Sequence, residues 1–173
     1  MKLSTINTIV RTLNDEEVRY IIVGGLAVVV HGYGRLTIDL DMVLKLEYDN
    51  IIKAFRALKN IGYFPRVPIK AEEFADRKKR EWLIEEKDMK VLNFFSDNHR
   101  ETPIDIFVQE PFNFDETYEK ACLENLEDGE VFRYADIDTL ILMKQLAGRE
   151  KDHDDITHLN IIRNDVDNDR EPA

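Results

Sequence analysis

The order of apolar and polar residues along the chain predicts an alternation of helices and strands. Apolar residues at helical spacing predict a first helix from Ser4 to about Glu17, with Ser4 as its N-terminal cap. The apolar run "RYIIVG" then predicts a short strand that is broken by Gly24 and Gly25. The following residues, "LAVVVHGY", predict a short helix, because a turn of only two glycines leads straight into them.

The middle of the chain continues this alternation. The segment "TIDLDMVLKL" predicts a second strand, and "NIIKAFRALKNIG" predicts an amphipathic helix that ends at Gly62. A further helix is expected within Ala71 to Lys87. Two more strands are expected at "MKVLNFFS" and "PIDIFVQ".

The last third of the chain is mainly helical. It predicts a short helix near "FDETYEKA" and a strand pair around the "EDGE" turn. Two helices follow, Ile137 to Ala147 and about Glu150 to Arg163, separated by Gly148. The whole predicts a mixed α/β sheet flanked by helices, with helices at the C-terminus. We expect one domain over residues 1–165, followed by a flexible acidic tail at 166–173.

Composition narrows the class of protein. The chain has 173 residues with 43% hydrophobic content, enough for the core of one globular domain. No apolar run reaches the roughly 18 residues of a membrane span, and the N-terminus lacks the apolar centre of a signal peptide. The expected compartment is the cytoplasm, without membrane contact. The single cysteine, Cys122, excludes an internal disulfide and a thiolate metal cluster.

Charge argues against a general attraction to nucleic acid. The net charge is −11, from 35 acidic and 24 basic residues. The densest basic cluster, "RKKREW" at Arg77 to Trp82, stands among acidic residues, which is more typical of a solvated helix face than of a nucleic-acid site.

Two aspartates interrupt the apolar run of the second predicted strand. Side chains alternate along a strand, so Asp39 and Asp41 point the same way, about 6 to 7 Å apart at the backbone. Asp105 is isolated in the same manner in "PIDIFV". If the two strands are neighbours, three carboxylates share one face, an arrangement suited to Mg²⁺ or Mn²⁺. A Gly24-Gly25 turn into a helix would add backbone N–H groups for a phosphate.

These motifs together resemble the signature of the nucleotidyltransferase fold superfamily. A glycine pair is followed by thirteen residues, Leu26 to Ile38, and then by "DLD", and the later "IDIF" resembles the third metal-binding aspartate of that superfamily. The string "GGLAVVVHGYGRLTIDLD" is further similar to AbiEii-type toxin nucleotidyltransferases and their uncharacterised bacterial relatives. The superfamily usually has a serine at the position of Gly25.

The resemblance extends to the C-terminal helices, where "KQLAGREKDHDDI" is similar to a family element with a lysine followed by R-x-K-D-x-x-D. It implies nucleotide contacts for Arg35, Thr37, Lys144, Arg149 and Lys151, and catalytic roles for Asp152 and Asp155. On a helix, Lys151, Asp152 and Asp155 lie on one side. In a site role, Arg149 and Lys151 face phosphates, and Asp152 or Asp155 orients or deprotonates the acceptor. In a structural role, these residues form surface ion pairs or favour the helix start.

The resemblance implies a metal-dependent enzyme that moves a nucleoside monophosphate from an NTP to a hydroxyl and releases pyrophosphate. Asp39 and Asp41 would hold the ion, and Asp105 would ligate a second ion and lower the pKa of the hydroxyl. The acceptor stays open between a tRNA 3′ end, a protein and a small molecule. The resemblance also implies that the protein could be the toxin of a toxin-antitoxin pair, with an antitoxin protein as its partner. Two alternatives are a nucleotide- or partner-binding module without turnover, and a structural protein in which the acids meet arginines.

Overall fold

A computed structural model describes residues 1–126 and 129–168 of the chain, apart from the side chains of Lys151 and residues 166–168. The helices of this part are α1 (Leu3–Asp15), α2 (Gly24–Val30), α3 (Tyr48–Asn60), α4 (Ala71–Ala75), α5 (Arg77–Lys87), α6 (Phe114–Lys120), α7 (Ile137–Ala147) and α8 (Glu150–Asn168). The strands are β1 (Tyr20–Ile22), β2 (Leu40–Leu44), β3 (Phe64–Pro65), β4 (Val91–Phe95), β5 (Ile104–Phe107), β6 (Cys122–Asn125) and β7 (Val131–Tyr134).

The strands form one mixed sheet in the order β3-β4-β5-β2-β1-β7-β6. Two neighbouring pairs, β2 with β5 and β1 with β7, are parallel, and the other pairs are antiparallel. The hydrogen-bonded neighbour of β2 on one side is therefore β5, although about sixty residues separate them in the sequence. The fold confirms the predicted α/β class with helices around a mixed sheet.

One face of the sheet is buried beneath α3 and α4. Residues on this face of β2, β5 and β4, among them Met42, Ile106 and Phe94, are almost fully buried. The ring of Phe55 in α3 lies 5.1 Å from that of Phe94 and 5.6 Å from that of Phe74 in α4, measured between centroids. Side chains alternate along strands, so the residues between these core positions point to the opposite face. That opposite face carries the aspartates.

Two predicted boundaries were wrong near the N-terminal half. The first helix is capped by Lys2, without a side-chain bond, and Ser4 lies inside its first turn. The second strand begins at Leu40 and not at Thr37. Alternating apolar residues suggested the longer strand, but Leu36 and Ile38 are 96% and 69% exposed in a loop. Without burial on either side, these residues gain nothing from strand pairing.

The region 64–87 also differs from its prediction. The helix expected within Ala71 to Lys87 is two helices, because Asp76 has an extended backbone and its side chain accepts a hydrogen bond from the Lys79 amide, which caps α5. The short strand β3 was not predicted. Its two residues include Pro65, a type that sequence patterns exclude from most strands.

Two predicted features lie partly or wholly outside the described residues. The strand pair β6 and β7 forms as expected, but Glu127 and Asp128 of its turn are not described. Helix α8 continues to Asn168, and the rest of the predicted tail, residues 169–173, is not described. Among the described residues, no helix is long and apolar enough to cross a membrane.

Candidate active site

The glycine pair forms the start of α2 against the side chain of Asp41. Gly24 has a φ of +65°, and a Cβ at this position would lie 1.9 Å from Asp41 Oδ2. The amide of Gly25 donates a hydrogen bond to the Asp41 carboxylate. Only a residue without a side chain allows the carboxylate to approach the turn this closely, which explains Gly24.

The second glycine has a different neighbour. A Cβ at Gly25 would lie 2.3 Å from Thr37 Oγ1 and 3.0 Å from Arg35 Nη2. The Thr37 hydroxyl therefore occupies the space that a residue-25 side chain would need, and it donates a bond of 3.4 Å to the Asp39 carbonyl oxygen. The superfamily usually has a serine at this position. In this chain, the Thr37 hydroxyl from the loop before β2 lies in the space that the serine side chain would occupy.

Three carboxylates meet beside this turn. Asp39 directly precedes β2, Asp41 lies within β2, and Asp105 lies opposite Asp41 on the parallel neighbour β5. One oxygen from each carboxylate lies within 4.8 Å of the others. The amide of Asn93 on β4 donates a bond of 2.6 Å to Asp105 Oδ1. The parallel pairing of β2 and β5 is therefore what brings the three acids onto one face.

The electrostatics of this cluster favour a cation. Burial, and then the charges of Asp39 and Asp105, raise the pKa of Asp41 to about 7, although the Gly25 amide and Arg149 act against this. Burial also raises the pKa of Asp105, against the opposing effects of the Asn93 bond and the Arg66 charge. A positive ion among these carboxylates would offset both effects.

The donor set fits a hard divalent cation. All three side chains offer carboxylate oxygens, which Mg²⁺ and Mn²⁺ prefer, and no softer donor belongs to the cluster. Among the described residues, no lysine or arginine lies within ion-pair distance of the three acids. This observation argues against the alternative in which the acids serve as partners for arginines.

The predicted C-terminal residues form a buried ion-pair network between α7 and α8. Lys144 Nζ lies 2.5 Å from Asp155 Oδ2 and 3.7 Å from Asp152 Oδ1. All three residues are at most 5% exposed. The ammonium of Lys144 is therefore occupied by protein carboxylates and does not face an open site.

Each aspartate of this network also holds an arginine. Arg149 donates two bonds to Asp152, from Nε at 2.7 Å and from Nη2 at 3.0 Å. Burial alone would raise the pKa of Asp152, but the bonds and charge of Arg149 and the charge of Lys144 lower it below its ordinary value. Arg35 Nε lies 2.9 Å from Asp155 Oδ1, in a contact that lacks hydrogen-bond geometry. Both arginines lie near the carboxylate cluster. The charge of Arg149 lowers the pKa of Asp41, and the guanidinium of Arg35 lies beside Gly25.

Helix α8 also contacts the loop that leads into β2. The Tyr33 hydroxyl donates a hydrogen bond to Asp154, and its ring stacks on His158 with centroids 3.8 Å apart. With the Arg35 contact, α8 holds this loop at two points. Sequence reasoning missed Tyr33, His158 and Asn93, because their partners are distant in sequence. Lys151 lies in α8, but its side chain is outside the described part of the chain.

The comparisons with known proteins agree with this geometry. A family model described as a nucleotidyltransferase of unknown function, DUF6036, matches residues 1–170. A search of curated proteins finds no match. One similar solved structure is the lincosamide antibiotic adenylyltransferase LnuA with bound lincomycin, with 18% identity, a TM-score of 0.59 and coverage of 91% of this chain and 95% of that chain. Another is ANT(2″)-Ia in complex with adenylyl-2″-tobramycin, with 11% identity, a TM-score of 0.56 and 98% of both chains covered.

At these identities the two structures show a shared fold over nearly the full length of each chain. The matching family model supports the superfamily that the glycine pair and the three aspartates suggested, without specific support for the AbiEii type. The toxin role stays a prediction. The match over residues 1–170 shows that the chain belongs to the DUF6036 family of nucleotidyltransferases.

Proposed function

We propose that the protein transfers a nucleoside monophosphate from an NTP to a hydroxyl group of a small-molecule acceptor. The observation that carries this proposal is the meeting of Asp39, Asp41 and Asp105 beside a glycine turn, with two arginines held nearby. Of two structures with the same fold, one is described as a lincosamide antibiotic adenylyltransferase and the other contains adenylyl-2″-tobramycin, which favours a small molecule over a tRNA or a protein. The net charge of −11 also disfavours tRNA.

In the proposed reaction, the acceptor oxygen attacks the α-phosphorus of the NTP. A new oxygen–phosphorus bond forms, the bond from the α-phosphorus to the bridging oxygen of the β-phosphate breaks, and pyrophosphate leaves with its electron pair. The hydroxyl proton passes to water at the site, and Asp105 would help to hold the cation beside the attacking oxygen. A divalent cation held by Asp39, Asp41 and Asp105 would supply charge neutralisation for the triphosphate.

Arg149 and Arg35 would contact the phosphates. Arg149 keeps 58% of its side chain exposed while Asp152 fixes its guanidinium on one edge, so its remaining N–H donors are free to bind an anion. Arg35 is held by Asp155 next to Gly25. The Thr37 hydroxyl lies at the same turn and would add a hydrogen bond to the triphosphate, whereas the Gly25 amide already donates to Asp41.

For three predicted residues, their burial and ion pairs support a role other than the predicted one. Asp152 and Asp155 were predicted to act on the acceptor hydroxyl, and Lys144 to contact nucleotide, but all three are buried and paired with one another or with arginines. A carboxylate that is buried and already paired with cations of the protein is not open to the hydroxyl of an acceptor. We therefore infer that these residues position Arg35 and Arg149. The phosphate contact of Lys151 stays a prediction.

The test is thermal unfolding with 1 mM of each NTP, in Mg²⁺ and in EDTA. At least one NTP with Mg²⁺ should raise the melting temperature, and EDTA should remove most of the rise, since ligand that binds only the folded state stabilises it. Asp39→Asn and Asp105→Asn should lose the effect, whereas Asp97→Asn, an exposed surface acid, should keep it. An unchanged melting temperature with all four NTPs in Mg²⁺ would contradict the proposal.

The same samples separate turnover from binding alone. Release of pyrophosphate when an acceptor is present supports transfer. Binding of Mg²⁺ and NTP without pyrophosphate release, across a panel of hydroxyl compounds, would favour the alternative of a binding module without turnover. A toxin role predicts growth arrest on expression and relief by a cognate antitoxin.

A further inference from the structure

A row of polar side chains crosses the sheet from the carboxylates to its edge. Asp41 lies opposite Asp105, and Asp105 lies opposite Asn93. The amide of Arg66 donates a hydrogen bond of 2.8 Å to the Asn93 carbonyl oxygen, which places Arg66 at the end of this row. Arg66 is also close enough to Asp105 to interact with it electrostatically.

A second row beside it is aromatic. Phe95 lies two residues after Asn93 on β4, so both side chains leave the same face of the sheet. Phe64 on β3 is the cross-strand partner of Phe95. The two rings are 46% (Phe64) and 39% (Phe95) exposed, and the Arg66 guanidinium lies 5.9 Å from the centre of the Phe95 ring. We name Phe64, Arg66, Asn93 and Phe95 together the aromatic face.

The aromatic face is open because α3 and α4 cover the other side of these strands. Exposed neighbouring rings offer a flat apolar surface on which a planar group stacks. The guanidinium beside them attracts an anion, and none of the four side chains is a carboxylate that would bind a cation. The chemistry of this surface therefore favours an aromatic, negatively charged molecule over a polycationic sugar.

We propose that the aromatic face binds the acceptor, and that the acceptor is a hydroxyl compound with an aromatic ring and a negative charge. This inference rests on the proposed transferase function and adds the substrate class. The ring would stack on Phe95 and Phe64, the negative group would pair with Arg66, and the hydroxyl would reach Asp105. Asn93 would orient the Asp105 carboxylate through its hydrogen bond.

Two probes that differ mainly in charge test the proposal. 4-Hydroxyphenylacetate and tyramine share a phenol ring, but the first carries a carboxylate and the second an ammonium. With the full chain in Mg²⁺ and without nucleotide, saturation-transfer NMR should give at least threefold stronger ring signals for 4-hydroxyphenylacetate. Phe95→Ser and Phe64→Ser should each reduce these signals severalfold, and Arg66→Gln should remove the difference between the probes.

Trp82→Ser is the matched control. Trp82 is 42% exposed and lies 4.3 Å from Lys79 Nζ, so it is a similar ring beside a similar charge, but it belongs to α5 and not to the aromatic face. Its replacement should leave both probe signals unchanged. Equal signals for the two probes in the wild-type chain, or signals that persist in both phenylalanine variants, would overturn the proposal.

The Mg²⁺-NTP thermal shift in the same samples separates this inference from the proposed function. If the shift is present and neither probe binds, the substrate class is wrong and the transferase function stands. If the probes bind as expected and no NTP shifts the melting temperature, the transferase function fails, and the acceptor assignment fails with it.

Discussion

At the scale of single residues, Asp41 titrates over a pH range in which most aspartates are already ionised. Its pKa in the folded, metal-free protein is about 7, raised by burial and by two neighbouring carboxylates, against an ordinary value of 3.8. Between these pH values the folded state keeps a proton that the unfolded state has lost. The free energy of unfolding therefore falls as pH rises from about 4 to about 7. Above that range the ionisation of Asp41 no longer changes it.

Replacing Asp41 by Asn should remove this pH-dependent loss. In EDTA, we expect Asp41→Asn to be more stable than the wild type at pH 8 by up to about 4 kcal/mol, since each pKa unit corresponds to about 1.4 kcal/mol. The difference should shrink towards zero near pH 4. Urea unfolding at several pH values measures it, with Asp97→Asn as an exposed control. A variant that is less stable than the wild type at pH 8 would show that the carboxylate has a structural role.

Gly24 allows a second residue-scale prediction. Gly24→Ala should destabilise the fold through its positive φ and through the collision of a Cβ with Asp41. Gly32→Ala is the matched control, since Gly32 has a φ of +110° but nothing within 4 Å of its Cβ position. The excess loss in Gly24→Ala over Gly32→Ala, measured by urea unfolding, should fall in an Asp41→Ala background. An equal loss in both glycine variants would mean that the positive φ alone, and not the collision with Asp41, explains the need for glycine at position 24.

At the scale of elements, patterns within one segment could be predicted and partners across segments could not. The period of apolar residues predicted α1, α3, α7 and α8, and the isolation of each aspartate within a strand predicted the face on which it lies. The pairing of β2 with β5, on which the site depends, could not be predicted, because about sixty residues separate the two strands. The resemblance implies a nucleotide contact for Lys144, but the sequence does not show that Asp152 and Asp155 pair with this lysine.

The pairing of α7 with α8 should depend on that buried lysine. Lys144→Met leaves Asp152 and Asp155 buried without the ammonium, and removal of one partner from a buried ion pair typically costs about 3 to 5 kcal/mol. Adding Asp155→Leu should recover part of the loss, because one of the two buried carboxylates that lose the ammonium is then absent. Arg100→Ala, which removes an exposed ion pair with Asp97, should change the free energy of unfolding by less than about 1 kcal/mol. A Lys144→Met variant as stable as the wild type would show that the ion-pair network does not stabilise the fold.

At the scale of the whole molecule, the site draws on segments that lie far apart in the chain. The turn at Gly24, the loop with Tyr33 and Arg35, the strands β2 and β5, and the start of α8 contribute to it. Helix α8 holds the loop at two residues, since Asp155 contacts Arg35 and Asp154 contacts Tyr33. The hairpin of β6 and β7 lies at the far edge of the sheet, two strands away from β2. A nucleotide bound at the carboxylates should therefore order some parts of the chain and leave others unchanged.

Hydrogen exchange with and without Mg²⁺-NTP should show this pattern. We expect slower amide exchange at residues 24–26, 33–39 and 149–155, because a bound triphosphate would restrain the glycine turn, the loop and the start of α8 together. Peptides from β6 and β7 should exchange at the same rate in both samples. The Asp155→Asn variant should keep the protection at 24–26 and lose much of it at 33–39, since Arg35 would no longer be held by α8. Protection confined to the hairpin, or equal protection of the loop in Asp155→Asn, would contradict a positioning role for this helix.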